Sequence, residues 1–378
     1  MTVLSVGAPA PVRFSEKLWR FNWGLALVLT AIAGIGVVAL YSAGGGHLDP
    51  WAGRHAIRYG AAFVLMLIVA LIHPKVWLAL AWPIYAVALL LLVAVDVAGK
   101  TGMGAQRWLM LGPLQIQPSE IAKVAVVLVL ARYYHGLTRE QAGRFLYALP
   151  PLMLILVPVA LVMVQPDLGT ALMVMLGGAA LLFVAGVPVW MFLLAGVGAV
   201  ASLPIAWSVM HEYQRKRVLT FLDPDRDPLG AGYHITQSKI AIGSGGLFGK
   251  GLGHGTQAML NFLPEKQTDF ILPTFVEEWG MVGACVLLAL FTLVLIWGFS
   301  IALRSQHHFG RLLALGVTSM LFLYVFINTG MVMGLLPVVG VPLPLVSNGG
   351  TAMVAVMFAC GLLIGVNVHR DAQLPIAR

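Results

Sequence analysis

The sequence predicts an all-α polytopic membrane protein with about ten transmembrane helices and one large extracytoplasmic loop between the seventh and eighth. Three observations predict it. Of 378 residues, 60% are hydrophobic and only 10% are charged, against roughly 25% charged in soluble domains. Apolar runs near the length needed to cross a bilayer, about 20 residues, recur along the whole chain. Between residues 209 and 272 that pattern gives way to a long polar, glycine-rich insert. Residues 1–378 read as one integral membrane domain, with no separate soluble domain and no strong internal repeat.

The predicted spans lie near 22–42, 57–73, 76–96, 119–135, 147–164, 168–185, 188–208, 274–302, 311–336 and 346–368. The first follows Arg13, Lys17 and Arg20 and is too long for a secretory signal, so it reads as a retained span. The fourth is short and opens with Glu120 and Lys123. Two runs, 274–302 and 311–336, are long enough to tilt or to extend beyond the bilayer. Basic residues in the short loops place both termini in the cytoplasm. The 98–118 loop, Asp167, the long insert and the 337–347 loop then share the outer face. Cys285 and Cys360 fall nearer opposite faces, which argues against a disulfide, and no Cys/His spacing suggests a metal site. The net charge of +8 suits an anionic membrane or substrate. No basic-plus-aromatic module points to nucleic acid.

Acids are scarce here, and each costs about 2.5–3.5 kcal/mol near a bilayer centre, so their positions carry information. Glu120 and Lys123 share one helix face and form either a self-neutralised pair or the wall of a polar cavity. Lys100 and Arg107 add cations upstream, beside Trp108, which could equally be an interfacial belt residue. Asp167, after Pro166, either caps the next helix or orients basic side chains. In the insert, Arg215, Lys216 and Arg217 form a solvated face or steer a phosphate-bearing head group. The stretch from Gln237 to Gly251 is not a phosphate loop, because Ser244 and Gly251 stand where that motif needs Gly and Ser or Thr. Its glycines instead let backbone approach a lipid surface or a neighbouring helix. Asp269, after Glu265 and Lys266, sits at a membrane edge where partial desolvation moves a carboxylate towards a general base's range. The run from Leu343 to Gly350 breaks a helix at the same face, which is tolerated only where protein or a wet cavity covers it.

Together these segments resemble the SEDS family of polytopic membrane proteins, and within it the elongation-associated branch. The resemblance covers about 330 residues. It rests on Gly104–Trp108, Gln117–Glu120 with Lys123, Gln165–Thr170, Asp227–His234, Gln237–Gly251, His254–Gln257, Glu265–Phe270 and Pro342–Gly350. It implies a peptidoglycan glycosyltransferase that polymerises lipid II, an undecaprenyl-linked disaccharide-pentapeptide. It further implies a class B penicillin-binding protein as partner, alongside other membrane proteins of the elongation complex. By carry-over Asp269 is the catalytic acid, and Trp108, Glu120, Lys123 and Asp167 match positions needed for activity. Arg107, Arg215, Arg217, Lys239, Lys266 and Ser347 complete the expected substrate-binding set. The family usually has Tyr where Asn348 stands, which leaves the packing of that loop open.

The chemistry suits these residues. A diphosphate leaving group needs no general acid, so one carboxylate suffices to deprotonate the acceptor's 4-hydroxyl. Cations stabilise the departing diphosphate. No tightly bound cofactor is expected, although a divalent ion such as Mg2+ could share that charge. The alternatives are a lipid II flippase, a scaffold for a transpeptidase, and the division-associated paralogue. Clustering of the informative residues at one face favours chemistry over carriage, since a carrier spreads polar groups through the bilayer depth.

Overall fold

Ten long helices occupy the ten predicted spans in the computed structural model, which describes residues 13–102, 105–112, 114–210, 215, 219–220, 223, 231–260, 262–263 and 265–375. A short helix, α1 (Phe14–Arg20), leads into α2 (Trp23–Ala43), α3 (Ala52–Leu71) and α4 (Pro74–Ala98). Three short strands follow, β1 (Lys100–Gly102), β2 (Ala105–Leu111) and β3 (Leu114–Ile116). Then come α5 (Pro118–His135), a single turn α6 (Arg139–Ala142), α7 (Phe145–Val164), α8 (Leu168–Ala185) and α9 (Val189–Val209). The insert contributes α10 (Ala231–Ser244) and α11 (Thr256–Met259). The chain closes with α12 (Ile271–Arg304), α13 (His308–Val332) and α14 (Gly350–Val368).

Sequence sets the ends of these helices. Asn22 caps α2 by accepting from the Leu25 N–H at 3.0 Å, Pro74 supplies the first residue of α4, and Gly186 ends α8 at φ +101°, where a residue without Cβ is unstrained. Among the described residues, eight helices are long and apolar enough to cross a membrane. The chain is an integral membrane protein. Of the other two long helices, α9 is apolar over Val189–Pro204, and α5 carries Glu120, Lys123 and Arg132.

The least apolar span is nevertheless the central one. All of α5 except Ile121, Arg132 and Tyr133 is buried, and it packs against α4, α7, α8, α13 and α14. In α13 and α14, 67% and 72% of the apolar window is buried, against 28% in α3 and α7. The first two are therefore interior and the last two lie at the periphery. Charged side chains thus sit where protein replaces lipid.

Two regions differ from the sequence reading. The 98–118 loop is an antiparallel sheet in the order β1–β2–β3, pairing Lys100 with Trp108 and Leu109 with Ile116. And α12 is broken at Gly280 (φ +66°, ψ −167°). The glycine-rich stretch fills that break: Met281 and Val282 N–H donate to Gly246 and Leu247 carbonyls at 2.9 and 3.1 Å, while Lys250 and Gly251 N–H donate to Glu277 and Glu278 carbonyls at 3.0 Å each. A Cβ on Gly249 would strike the Glu278 carbonyl, and one on Gly280 would strike Gly249. The insert glycines serve a neighbouring helix.

At the end of the bundle that holds α1, histidines gather. His73 caps α4 by accepting from Lys75 N–H at 3.2 Å, His307 caps α13 by accepting from Gly310 N–H at 2.8 Å, and the rings of His73 and His369 lie 5.1 Å apart. Burial pushes His307 and His369 down to about 4 from 6.5; His135 and His73 push His307 the same way, and Lys17, His73 and His307 do so for His369. Both rings are neutral in the folded and unfolded chain above about pH 6.5. As pH falls from 6.5 to about 4, the unfolded chain takes up protons that the folded one refuses. Thermal stability in detergent is expected to drop across that window, and His307→Asn with His369→Gln, keeping a capping side chain at 307, to flatten the drop. A slope unchanged by the double substitution would contradict this.

Candidate active site

The segments expected on one face do meet at one end of the bundle. Gln117, just before α5, donates its amide Nε2–H to Asp167 Oδ2 at 3.4 Å, and its backbone N–H to Thr351 Oγ1 at 3.4 Å. Thr351 in turn donates to the Gln115 carbonyl at 3.2 Å, tying α14 to β3. Arg107 on β2 donates through Nη2 to the Pro166 carbonyl at 2.5 Å and places Nε 3.7 Å from Asp167 Oδ2. Asp167 does both things its sequence position allowed. It caps α8, accepting from Thr170 N–H at 3.2 Å and Thr170 Oγ1–H at 2.9 Å, and it also faces a guanidinium.

Beneath this layer Lys123 Nζ donates to Glu120 Oε1 at 2.7 Å, with both side chains almost wholly buried. A buried ion pair needs further hydrogen bonds to offset its desolvation. Tyr324 on α13 supplies one, donating to Glu120 Oε2, and its ring lies 4.3 Å under the Lys123 ammonium. One turn further along α13, Asn328 is fully buried. Its amide donates to the Asp269 carbonyl at 3.1 Å and the Val341 carbonyl at 2.8 Å. Residues four apart share a helix face, so one face of α13 touches both the buried pair and the backbone of Asp269.

Asp269 is partly buried, immediately ahead of α12. A Cβ on Gly340 would lie 3.3 Å from its Oδ2, so the carboxylate stands beside the 337–347 loop. Its own loop is bound to that region: Asn348 N–H donates to the Gln267 carbonyl at 2.8 Å, and Ser347 Oγ–H donates to the Thr268 carbonyl at 2.6 Å. Within the loop, Thr268 Oγ1–H donates to Glu265 Oε2 at 2.9 Å. The Asp269 backbone is therefore held from α13 and its two preceding residues from the 343–348 turn.

The remaining expected residues are dispersed. Trp108 is half-buried on β2. Ser347 is buried and uses its hydroxyl on backbone, accepting from Leu343 N–H at 2.8 Å as well. Lys266 donates to the Ala258 carbonyl at 2.7 Å, and burial lowers its pKa from the ordinary lysine value. Lys239 is exposed on α10, running past Gly334 beyond the end of α13. Arg215 folds back on α9, donating to the Trp207 and Ser208 carbonyls at 2.8 and 2.7 Å; this satisfies a helix C-terminus. Arg217 lies outside the described residues. Among the described residues, no three His, Cys, Asp or Glu side chains stand close enough to hold a metal ion.

Sequence reasoning did not assign Tyr324 or Asn328. Their signal was present, as two polar groups one turn apart inside an apolar span. Nor did it give roles to Glu277 and Glu278. Glu277 accepts from Lys250 Nζ at 2.6 Å and Thr256 Oγ1–H at 2.9 Å, while Glu278 accepts from Ser42 on α2 and from Gly253 N–H at 3.3 Å. These carboxylates pin the insert to the broken helix.

The family described as FTSW_RODA_SPOVE, a cell cycle protein, matches residues 22–372. The chain belongs to that family. It is similar to the peptidoglycan glycosyltransferase MrdB of Escherichia coli K12, with 46% identity over 92% of this chain and 93% of that protein. It is 35% identical to the probable peptidoglycan glycosyltransferase FtsW of Geobacter metallireducens, over 94% of this chain and 96% of that one. Among solved structures it resembles the rod shape determining protein RodA of Thermus thermophilus, with a TM-score of 0.70 and 33% identity over 93% of this chain and 98% of that chain. A chain from a peptidoglycan synthase complex that coordinates polymerisation and crosslinking matches with a TM-score of 0.79 and 37% identity over the same shares.

This family member's buried pair makes a ranked prediction. Glu120→Gln leaves the Lys123 charge uncompensated and should cost about 3–5 kcal/mol. Tyr324→Phe removes one donor from the carboxylate and should cost about 1–3 kcal/mol. Chemical unfolding in a mild detergent checks the order, and equal effects would contradict the geometry.

Proposed function

We propose that this chain is the glycan-polymerising enzyme of a peptidoglycan synthase of the elongation type, acting on lipid II at the outer face of the bacterial cytoplasmic membrane. Both termini lie in the cytoplasm in this reading, and the insert end faces outward. One observation carries it above the others. A partly buried carboxylate, Asp269, is fixed at a helix start by α13 and the 343–348 turn, in a chain 46% identical to the glycosyltransferase MrdB. Higher identity to MrdB than to the FtsW relatives, at 34–38%, favours elongation over division, as does the likeness to a rod shape determining protein.

In this mechanism Asp269 accepts the proton from the acceptor sugar's 4-hydroxyl as that oxygen attacks the donor's anomeric carbon. The bond to the undecaprenyl diphosphate breaks with the electron pair leaving on phosphate oxygen. Direct displacement inverts the α-linked donor to a β-linkage. The charge balance refines which cations meet the diphosphate. Lys123 is already paired with Glu120, and Arg107 faces Asp167, so their role is to order the segments around Asp269. Lys266, three residues before Asp269, and the exposed Lys239 suit the leaving group better. Among the described residues, no three His, Cys, Asp or Glu side chains form a cage for a divalent ion.

A class B penicillin-binding protein is the partner in this reading, supported by the likeness to a complex coordinating polymerisation with crosslinking. A flippase would spread its polar groups through the membrane depth, whereas the buried Glu120, Lys123, Asp167, Glu277 and Glu278 gather at the insert end. The test is polymerisation of lipid II by purified protein with its partner. Wild type should yield β-linked glycan strands and Asp269→Ala none, at equal yield of monodisperse protein. Wild type that moves lipid II across vesicles without making polymer would favour the carrier, and α-linked product would rule out direct displacement.

A further inference from the structure

The loop carrying Asp269 is held by a turn, and that turn is held from α3. Within Leu343–Asn348, Ser347 N–H donates to the Leu343 carbonyl at 3.0 Å. Leu345 adopts φ +61°, a conformation that a branched residue reaches only at a cost of order 1–3 kcal/mol. Such strain persists where the surroundings over-determine it, and here they do. The turned Leu345 carbonyl meets the Nε2 of His55 at 2.9 Å, with His55 fully buried. A carbonyl can only accept, so His55 carries its proton on Nε2. The same carbonyl lies against Gly36 of α2, where a Cβ would approach to 2.5 Å. A second strained residue, Glu265 at φ +56°, stands in the loop that this turn grips.

Three residues along α3 from His55, Arg58 donates from Nη1 to Asn348 Oδ1 at 3.1 Å. Its guanidinium rests beside Gly350, the first residue of α14. A cation at a helix N-terminus faces the positive end of the macrodipole, so electrostatics does not hold Arg58 there; the bond to Asn348 does. The amide side chain accepts from Arg58 while the Asn348 N–H donates to Gln267. Two neighbouring groups on α3 thus hold the two ends of the 345–348 segment, and that segment holds residues 267 and 268 directly before Asp269.

We propose that Arg58 and His55 are positioning residues for Asp269, acting through the 343–348 turn, with Asn348 as the acceptor that recruits Arg58. This rests on the glycosyltransferase reading above. Misplacing a reacting group by about 1 Å costs on the order of 100-fold in rate, so loosening the turn lowers kcat and leaves substrate binding alone. A direct contact between Arg58 and the lipid diphosphate would do the reverse.

The experiment is a kinetic cycle on purified protein with its partner, with lipid II as substrate. Arg58→Ala and Asn348→Ala are each expected to lower kcat by about tenfold with KM within twofold, and the double variant to lose no more than either single one. His55→Phe should lower kcat comparably, and His55→Gln, which retains an N–H donor, should recover most of the loss. Arg58 is exposed and its variants should yield as much monodisperse protein as wild type, so the Arg58–Asn348 cycle stands even where a His55 variant fails to fold. A rise in KM with unchanged kcat, multiplicative losses in the double variant, or wild-type rates in both singles would overturn the proposal. Inactive wild type in the same assay would instead defeat the glycosyltransferase reading.

Discussion

An ion pair buried among apolar helices constrains everything at the insert end. Glu120 and Lys123 are individually expensive in a membrane interior, and each is tolerable because the other is 2.7 Å away. Mutual neutralisation still leaves carboxylate lone pairs to satisfy. Tyr324 meets that demand, so α5 and α13 must pack with this face of α13 turned inward. Once it is, Asn328 projects from the same face and fixes the backbone of Asp269 and of Val341. The Asp269 loop inherits its position from the buried charge pair on α5.

A second constraint comes from the insert. A long helix running straight from Asp269 would leave the glycine-rich segment without a partner for its backbone groups. Breaking α12 at Gly280 frees N–H and C=O groups on both sides of the kink, and residues 246–251 satisfy them. Glu277 and Glu278 then anchor Lys250, Thr256 and Ser42. The result is a braced first segment of α12 directly after Asp269, while the turn that α3 holds grips the residues before it.

Much of this was legible in the sequence. Most of the spans follow from apolar run length, and loop charge with acid placement singled out Glu120, Lys123, Asp167 and Asp269. What the sequence withheld depends on contacts between distant segments. Whether Asp167 capped a helix or faced a cation could not be decided from Pro166 and Thr170, because Arg107 arrives from 60 residues away in the fold's sheet. The strands of residues 100–116 are short and interrupted by glycine, and no period announces them. Arg215 looked like a head-group contact because its neighbours are basic, yet its bonds go to the end of α9. Tyr324 and Asn328 were visible as polar residues in a span, but only the partner helix gives them work.

Buried donors on α13, together with the 343–348 turn, set where the Asp269 carboxylate stands. The most direct measurement is the lipid II polymerisation rate of Asn328→Leu at saturating substrate. Loss of both backbone contacts predicts a kcat at least about tenfold below wild type, with KM and the yield of monodisperse protein preserved. A variant that polymerises at the wild-type rate would contradict the account.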